Sequence, residues 1–108
     1  MNIDATMAAL ADPTRRELLS RLARRASPAG DLARGFAMTR PAVCKHMRVL
    51  REAGLIRASK EGRRRIYELR PRGRAAVEQV RRTIEEVSRF WDSALEAFKN
   101  FVERDDRP

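Results

Sequence analysis

From Val77 onward the apolar residues Val77, Val80, Ile84, Val87, Trp91, Ala94, Phe98 and Phe101 recur at alternating intervals of three and four. That period belongs to a helix and to no strand, because residues three and four apart share one helical face. Phe90, Leu95 and Val102 widen the stripe. The pattern predicts one helix over about residues 74–104, and roughly 30 residues at 1.5 Å each extend about 45 Å. A chain of 108 residues is the size of one domain, and its 43% apolar content fills a modest core. So long a helix overhangs so small a core, and its heptad seam calls for another copy of itself. The competing uses of the stripe are a helix lying across its own domain, or the lining of a pocket for a small-molecule effector.

The segments before it are short and punctuated. Ile3, Met7 and Leu10 recur at helical spacing ahead of Asp12. Asp12-Pro13 reads as an N-cap with proline at the first helical position, opening a second helix with Leu18, Leu19 and Leu22 as its stripe. Ser27-Pro28-Ala29-Gly30 ends it, and a short third helix starts from Asp31 with Leu32, Ala33 and Phe36 facing inward. Thr39 caps a fourth helix over about 40–53, with Arg40 and Pro41 in its first turn, Val43, Met47 and Leu50 as its buried face, and Gly54 closing it. Over about 55–70 the period changes. LIRAS and RRIYEL read as two strands joined through Lys60-Glu61-Gly62-Arg63, and Pro71 and Gly73 punctuate before the long helix. The fold class expected is mainly α with a small β-hairpin, one domain over 1–108.

Charge is concentrated in the middle third. Residues 40–74 carry twelve Arg and Lys against three Asp and Glu, which accounts for the whole net charge of +9, while the two ends of the chain cancel. A surface charged only for solubility has no reason to gather one sign, so a polyanionic partner is favoured. No apolar run approaches the roughly 18 to 20 residues that span a bilayer, and the N-terminus lacks a basic-then-apolar signal pattern, so a cytoplasmic location without membrane contact is expected. The single cysteine, Cys44, makes no intramolecular disulfide and builds no thiolate-rich metal site. An enzyme is disfavoured, because the single histidine, His46, stands near Cys44 at adjacent rather than facing helical positions. No cofactor is expected.

With Val43, Met47 and Leu50 turned inward, the fourth helix leaves Arg40, Pro41, Cys44, Lys45 and Arg48 on its outer side. A short helix, a turn and a capped second helix can hold that second helix out to enter a major groove. Arg40, nearest the helix start, is the best candidate for a bidentate contact to guanine. Arg63, Arg64 and Arg65 follow Gly62, and Lys60 stands on the other arm, so the hairpin tip offers guanidinium groups to phosphates or a minor groove. Protection of a hairpin edge against stray pairing would explain one or two of these arginines, not three beside a charged helix.

LADPTRRELL, then DLA, then RPAVCKHMRVLREAGLI, then EGRRRIYEL, in that order, closely resemble the winged helix-turn-helix repressors of the arsenical-resistance (ArsR) family over nearly the whole chain. The resemblance implies a homodimeric transcription regulator that pairs through its first and last helices, here through Met7, Leu10, Val80, Ile84, Val87, Trp91, Leu95 and Phe98. It places Arg40, Cys44 and Lys45 in a recognition helix and Gly62 to Arg65 in a wing. His46 matches a histidine of the family's DNA-proximal surface or its support. Two departures stand out. The family's metal sites, a Cys-x-Cys pair in the third helix or Asp and His on the last, have no counterpart here, so a subgroup without metal sensing is implied and no metal ligands are expected. Cys44 stands where the family usually has serine, which makes it a candidate redox switch, and Ala37 stands where the family generally has glycine, which would cost roughly 1 kcal/mol if φ is positive. The expected function is double-stranded DNA binding by a homodimeric repressor at a palindromic operator. The alternatives are a non-specific architectural DNA-binding protein and a protein-interaction module using the aromatic last helix.

Overall fold

The computed structural model describes residues 2–105; Met1 and residues 106–108, which the single domain expected over 1–108 also spans, lie outside the described residues. The elements run α1 (Ile3–Ala9), α2 (Pro13–Arg24), β1 (Ser27–Pro28), α3 (Ala29–Ala33), α4 (Arg40–Glu52), β2 (Ile56–Glu61), β3 (Arg64–Leu69) and α5 (Pro71–Asp105). Helix starts leave backbone N–H groups without partners, and local side chains fill that need here. Asp12 Oδ1 accepts from the backbone N–H of Thr14 at 2.8 Å and of Arg15 at 3.1 Å. Thr39 Oγ1 accepts from the N–H of Ala42 at 3.3 Å, and Pro41 sits in the first turn where no donor is needed.

Leu18 and Leu22 of α2, Leu32 of α3, Val43, Met47 and Leu50 of α4, and Leu55, Ile56 and Tyr67 beside or within the hairpin form one buried cluster. The inward faces expected for α2 and α4 are therefore those observed. The hairpin pairs Ile56 with Leu69 through Glu61 with Arg64, so Gly62 and Arg63 alone make the turn, with Gly62 at φ 65°. Glycine in the first of two central positions is the arrangement of a type II′ turn, which suits the twist of paired strands.

Four local expectations are corrected. Ser27 and Pro28 do not merely end α2: they pair antiparallel with Tyr67 and Ile66, making a three-stranded sheet in the order β1-β3-β2. The third helix starts at Ala29, two residues before Asp31. Ala37 needs no left-handed backbone, since the turn between α3 and α4 takes its positive φ of 85° at Gly35, and no non-glycine residue among those described has a positive φ. The last helix begins at Pro71, not near Arg74, and Gly73 lies inside it. A Cβ on Gly73 would stand 2.1 Å from the carbonyl oxygen of Leu55. That oxygen also accepts from the N–H of Arg70 at 3.0 Å, so the missing side chain lets α5 root against the start of the hairpin.

The molecule measures 77 × 29 × 20 Å. About 52 Å of helix, the 35 residues of α5, accounts for most of the long dimension. Ala76 and Val80 are buried and α1 packs on α5, but from Ile84 outward the large apolar residues of the stripe are exposed among the described residues. Trp91 is 57% exposed and Phe98 65%. Of the residues assigned to pairing, Val80 is 5% exposed and Leu10 half-buried in the domain, whereas Met7, Ile84, Val87, Trp91, Leu95 and Phe98 are exposed.

Candidate nucleic-acid interface

The burial of Val43, Met47 and Leu50 fixes how α4 is turned. At about 100° per residue, Pro41, Lys45 and Arg48 fall on the opposite face, and all three are exposed. Arg40 and Cys44 are exposed on one edge of that face; His46, half-buried, is on the other. Thr39 caps the end of the helix that carries Arg40, so the donors gathered there are held by a fixed helix start.

Arg40 and the wing arginines border one cleft. A cleft of about 360 Å³ between α3, the first turn of α4 and the hairpin is lined by Arg34, Arg40, Arg63, Arg64 and Arg65, with Asp31 as its single carboxylate. Asp31 reaches Arg34 at 3.6 Å and Arg64 at 4.0 Å. Among the described residues Arg40, Lys45, Arg48, Lys60, Arg63 and Arg65 take part in no ion pair. Lys60 even stands directly opposite Arg65 across the hairpin. Like charges in that position destabilise a sheet, and a polyanion laid along the wing would remove the conflict. Nearer the core, Arg57 opposes Glu68 and is ion-paired with it. The pair at the root of the wing is matched and Glu61 stands opposite Arg64 beside the turn, so Lys60 and Arg65 form the one like-charged pair in the register.

His46 is turned away from this cleft. Its Nδ1 lies 3.4 Å from Arg15 Nη1 and 3.9 Å from Asp12 Oδ1, at the contact of α4 with the start of α2. The Asp12 carboxyl is held below its ordinary pKa first by the N–H of Arg15, with further help from Thr14, His46 and the Arg15 charge, against a smaller opposing effect of burial. Cys44 is a free, exposed thiol. Among the described residues no group of three or more His, Cys, Asp or Glu side chains is placed to hold a metal ion, and no helix is long and apolar enough to cross a membrane. A second, larger groove of about 1230 Å³ lies between α2 and the root of α5, with Leu10, Leu19, Leu69, Val77, Val80 and Ile84 in its apolar wall.

The sequence passed over Arg34 and Asp31 as members of the basic cleft, and over Arg15 as the partner of His46. For Arg34 the signal was its place just before the turn into α4. The Arg15 contact spans 31 residues of chain and has no local mark.

An outward-facing, capped helix beside an arginine-tipped hairpin is the working edge of a winged helix-turn-helix DNA-binding regulator. A helix-turn-helix domain family matches residues 10–58, from the end of α1 into β2. The chain is 40% identical over 100 residues to the HTH-type transcriptional regulator Rv2034 of Mycobacterium tuberculosis, covering 93% of this chain and 88% of that protein. A solved ArsR-like transcriptional regulator from Rhodococcus sp. RHA1 is 33% identical, with a TM-score of 0.65 over 92% of this chain and 91% of that one. The homodimeric winged helix-turn-helix DNA-binding domain of Mb0332 from Mycobacterium bovis, described as a candidate ArsR-family regulator, is 26% identical, with a TM-score of 0.59 over 87% and 82% of the two chains. The protein belongs to the ArsR family of transcriptional regulators, and its domain is a winged helix-turn-helix.

Proposed function

We propose that the protein works as a homodimer that represses transcription by occupying a roughly palindromic operator. The observation that carries the reading is the convergence of Arg40 with Arg63, Arg64 and Arg65 on one cleft, beside an α4 face whose Lys45 and Arg48 are exposed and, among the described residues, in no ion pair. In this reading α4 is the recognition helix. Arg40 reads a base edge, Lys45 and Arg48 reach bases or phosphates, Pro41 and Cys44 supply small groove-facing contacts, and His46 supports the helix from its flank. Lys60 and the wing arginines supply salt-dependent, sequence-independent affinity. The dimer forms through the exposed stripe of α5, from Ile84 through Val87, Trp91 and Leu95 to Phe98, together with Met7 and Leu10; Val80, also expected there, is buried within its own domain. The homodimeric relative supports that assembly.

Selection of bound sequences from random duplex DNA by the purified chain tests the reading. An inverted repeat with half-sites about one helical turn apart is expected. Uniform recovery of unrelated sequences would instead favour a non-specific architectural role. Repeating the selection with oxidant present separates a redox-sensing Cys44, which would abolish recovery, from a thiol that only fills space.

A further inference from the structure

Arg15 of α2 joins the end of α1 to α4. Its Nε donates to the carbonyl of Ala9 at 2.5 Å and its Nη2 to that of Ala8 at 3.1 Å, the two residues that close α1. Its remaining arm, Nη1, points at Nδ1 of His46 across 3.4 Å. A guanidinium has five N–H donors and no acceptor, so this contact makes Nδ1 the acceptor. A neutral imidazole carries one N–H, and with Nδ1 used as a lone pair that proton sits on Nε2.

Asp12 pulls the other way. A carboxylate beside Nδ1 favours a proton there, but Asp12 Oδ1 is 3.9 Å from the ring nitrogen, beyond hydrogen-bond reach, and already accepts from the N–H groups of Thr14 and Arg15. The nearer partner is Arg15. The imidazole is 22% exposed, and among the described residues no buried side-chain nitrogen or oxygen lacks a hydrogen-bond partner, so Nε2 opens to solvent. Nδ1 faces the first turn of α2, and Nε2 is the ring nitrogen left free on this edge of α4, where Lys45 and Val49 are exposed.

We propose that Arg15 is a positioning residue which fixes His46 as the Nε2–H tautomer and aims that donor at a DNA backbone phosphate flanking the recognition helix. Phosphate oxygens only accept, so an Nε2–H donor fits them and an Nε2 lone pair does not. Because the same guanidinium grips the end of α1, the α1–α2 corner and the edge of α4 are held in one register. The phosphate contact rests on the DNA-binding reading above; the tautomer does not.

The chain has one histidine, so long-range proton–nitrogen correlation of histidine-labelled protein at a pH of about 8.5, where imidazoles are neutral, reports this ring alone. A protonated Nε2 with an unprotonated Nδ1 is expected, and R15A should return the ring to a tautomer mixture. Titrations on operator and scrambled duplexes supply the second readout. His46→Gln places an amide donor near Nε2 and should bind within about twofold of the parent, whereas His46→Asn, whose amide reaches only as far as Nδ1, and R15A should lose roughly five- to tenfold on both duplexes. A proton on Nδ1, an unchanged ring in R15A, or equal binding by the Gln and Asn variants would overturn the proposal. Failure of the parent protein to bind any duplex would defeat the DNA-binding reading, and with it the phosphate contact, while the tautomer in the free protein would still decide the role of Arg15.

Discussion

The tip of the wing and the outer half of α5 are both poorly satisfied by their own chain, in opposite ways. At the wing Lys60 faces Arg65, and the guanidinium groups outnumber the two carboxylates near them, Glu61 opposite Arg64 and Asp31 at 4.0 Å from it, so an excess of positive charge remains. Along α5 the charges are of mixed sign: near its root Arg81 hydrogen-bonds both oxygens of Glu78 and also pairs with Glu85, and further out Arg89 and Lys99 alternate with Asp92 and Glu96. The bond from Arg81 holds the Glu78 carboxyl below its ordinary pKa, and Glu78 in turn raises that of Arg81. What α5 leaves unsatisfied is apolar: Phe90, Trp91, Leu95, Phe98 and Phe101. A polyanion completes the first region and does nothing for the second, which needs an apolar surface of matching length. The two deficits therefore ask for two different partners, DNA at one edge and a second copy at the other.

Breaking the apolar side should have the largest effect. Trp91→Asp together with Phe98→Asp removes burial worth about 1.5–3 kcal/mol per side chain and places charges in the seam. Sedimentation should then show a monomer, and operator affinity should fall by about a hundredfold or more, since one half-site is held alone. Gly73→Ala strikes the root that joins the two regions, because its Cβ would overlap the Leu55 carbonyl. A loss of about 2–3 kcal/mol in denaturant unfolding is expected, as for other overpacked sites, with no change in the DNA contacts of the protein that remains folded.

Smaller changes sharpen the basic side. Arg65→Ala should weaken operator and scrambled duplexes alike by about tenfold and flatten the salt dependence by up to about 0.9 in slope, the amount for one phosphate. Arg40→Ala should instead relax preference at one base position by about 1–3 kcal/mol. Equal losses on both duplexes would remove Arg40 from base reading. The smallest effect belongs to the cap. Asp12→Ala should lower the denaturant midpoint slightly at neutral pH through loss of the cap. Because the folded carboxyl titrates below its unfolded value, the contribution is present above the ordinary carboxylate range and lost as pH falls through the lowered folded pKa. Parent and variant should therefore converge in acid.

The parts legible in the sequence were those written locally. Asp12-Pro13 and Thr39 announced their helices because a cap acts on the next two or three residues, and the seam of α5 announced itself through its period. The same local logic misread Gly73 as punctuation, since only the approach of Leu55 from elsewhere in the chain explains a glycine inside a helix. Strand β1 was invisible because two residues have no period; its pairing is set by β3, some forty residues later. At the interface the wing arginines and Arg40 could be picked singly from their positions, whereas their sharing one cleft with Arg34 and Asp31 depends on the packing of α3 against the hairpin. Arg15 was passed over because a guanidinium in a helix reads as surface until the ring that it meets is known.

The central claim is that two copies, joined through α5, present their α4 helices at the pitch of DNA. Cys44 is the only cysteine and is exposed on α4, so a spin label there reports the separation without further substitutions. Pulsed dipolar spectroscopy on the purified protein should give one distance distribution centred near 34 Å, one turn of the duplex, after allowance for the label. Absence of a dipolar signal, or a separation far from that pitch, would contradict the account.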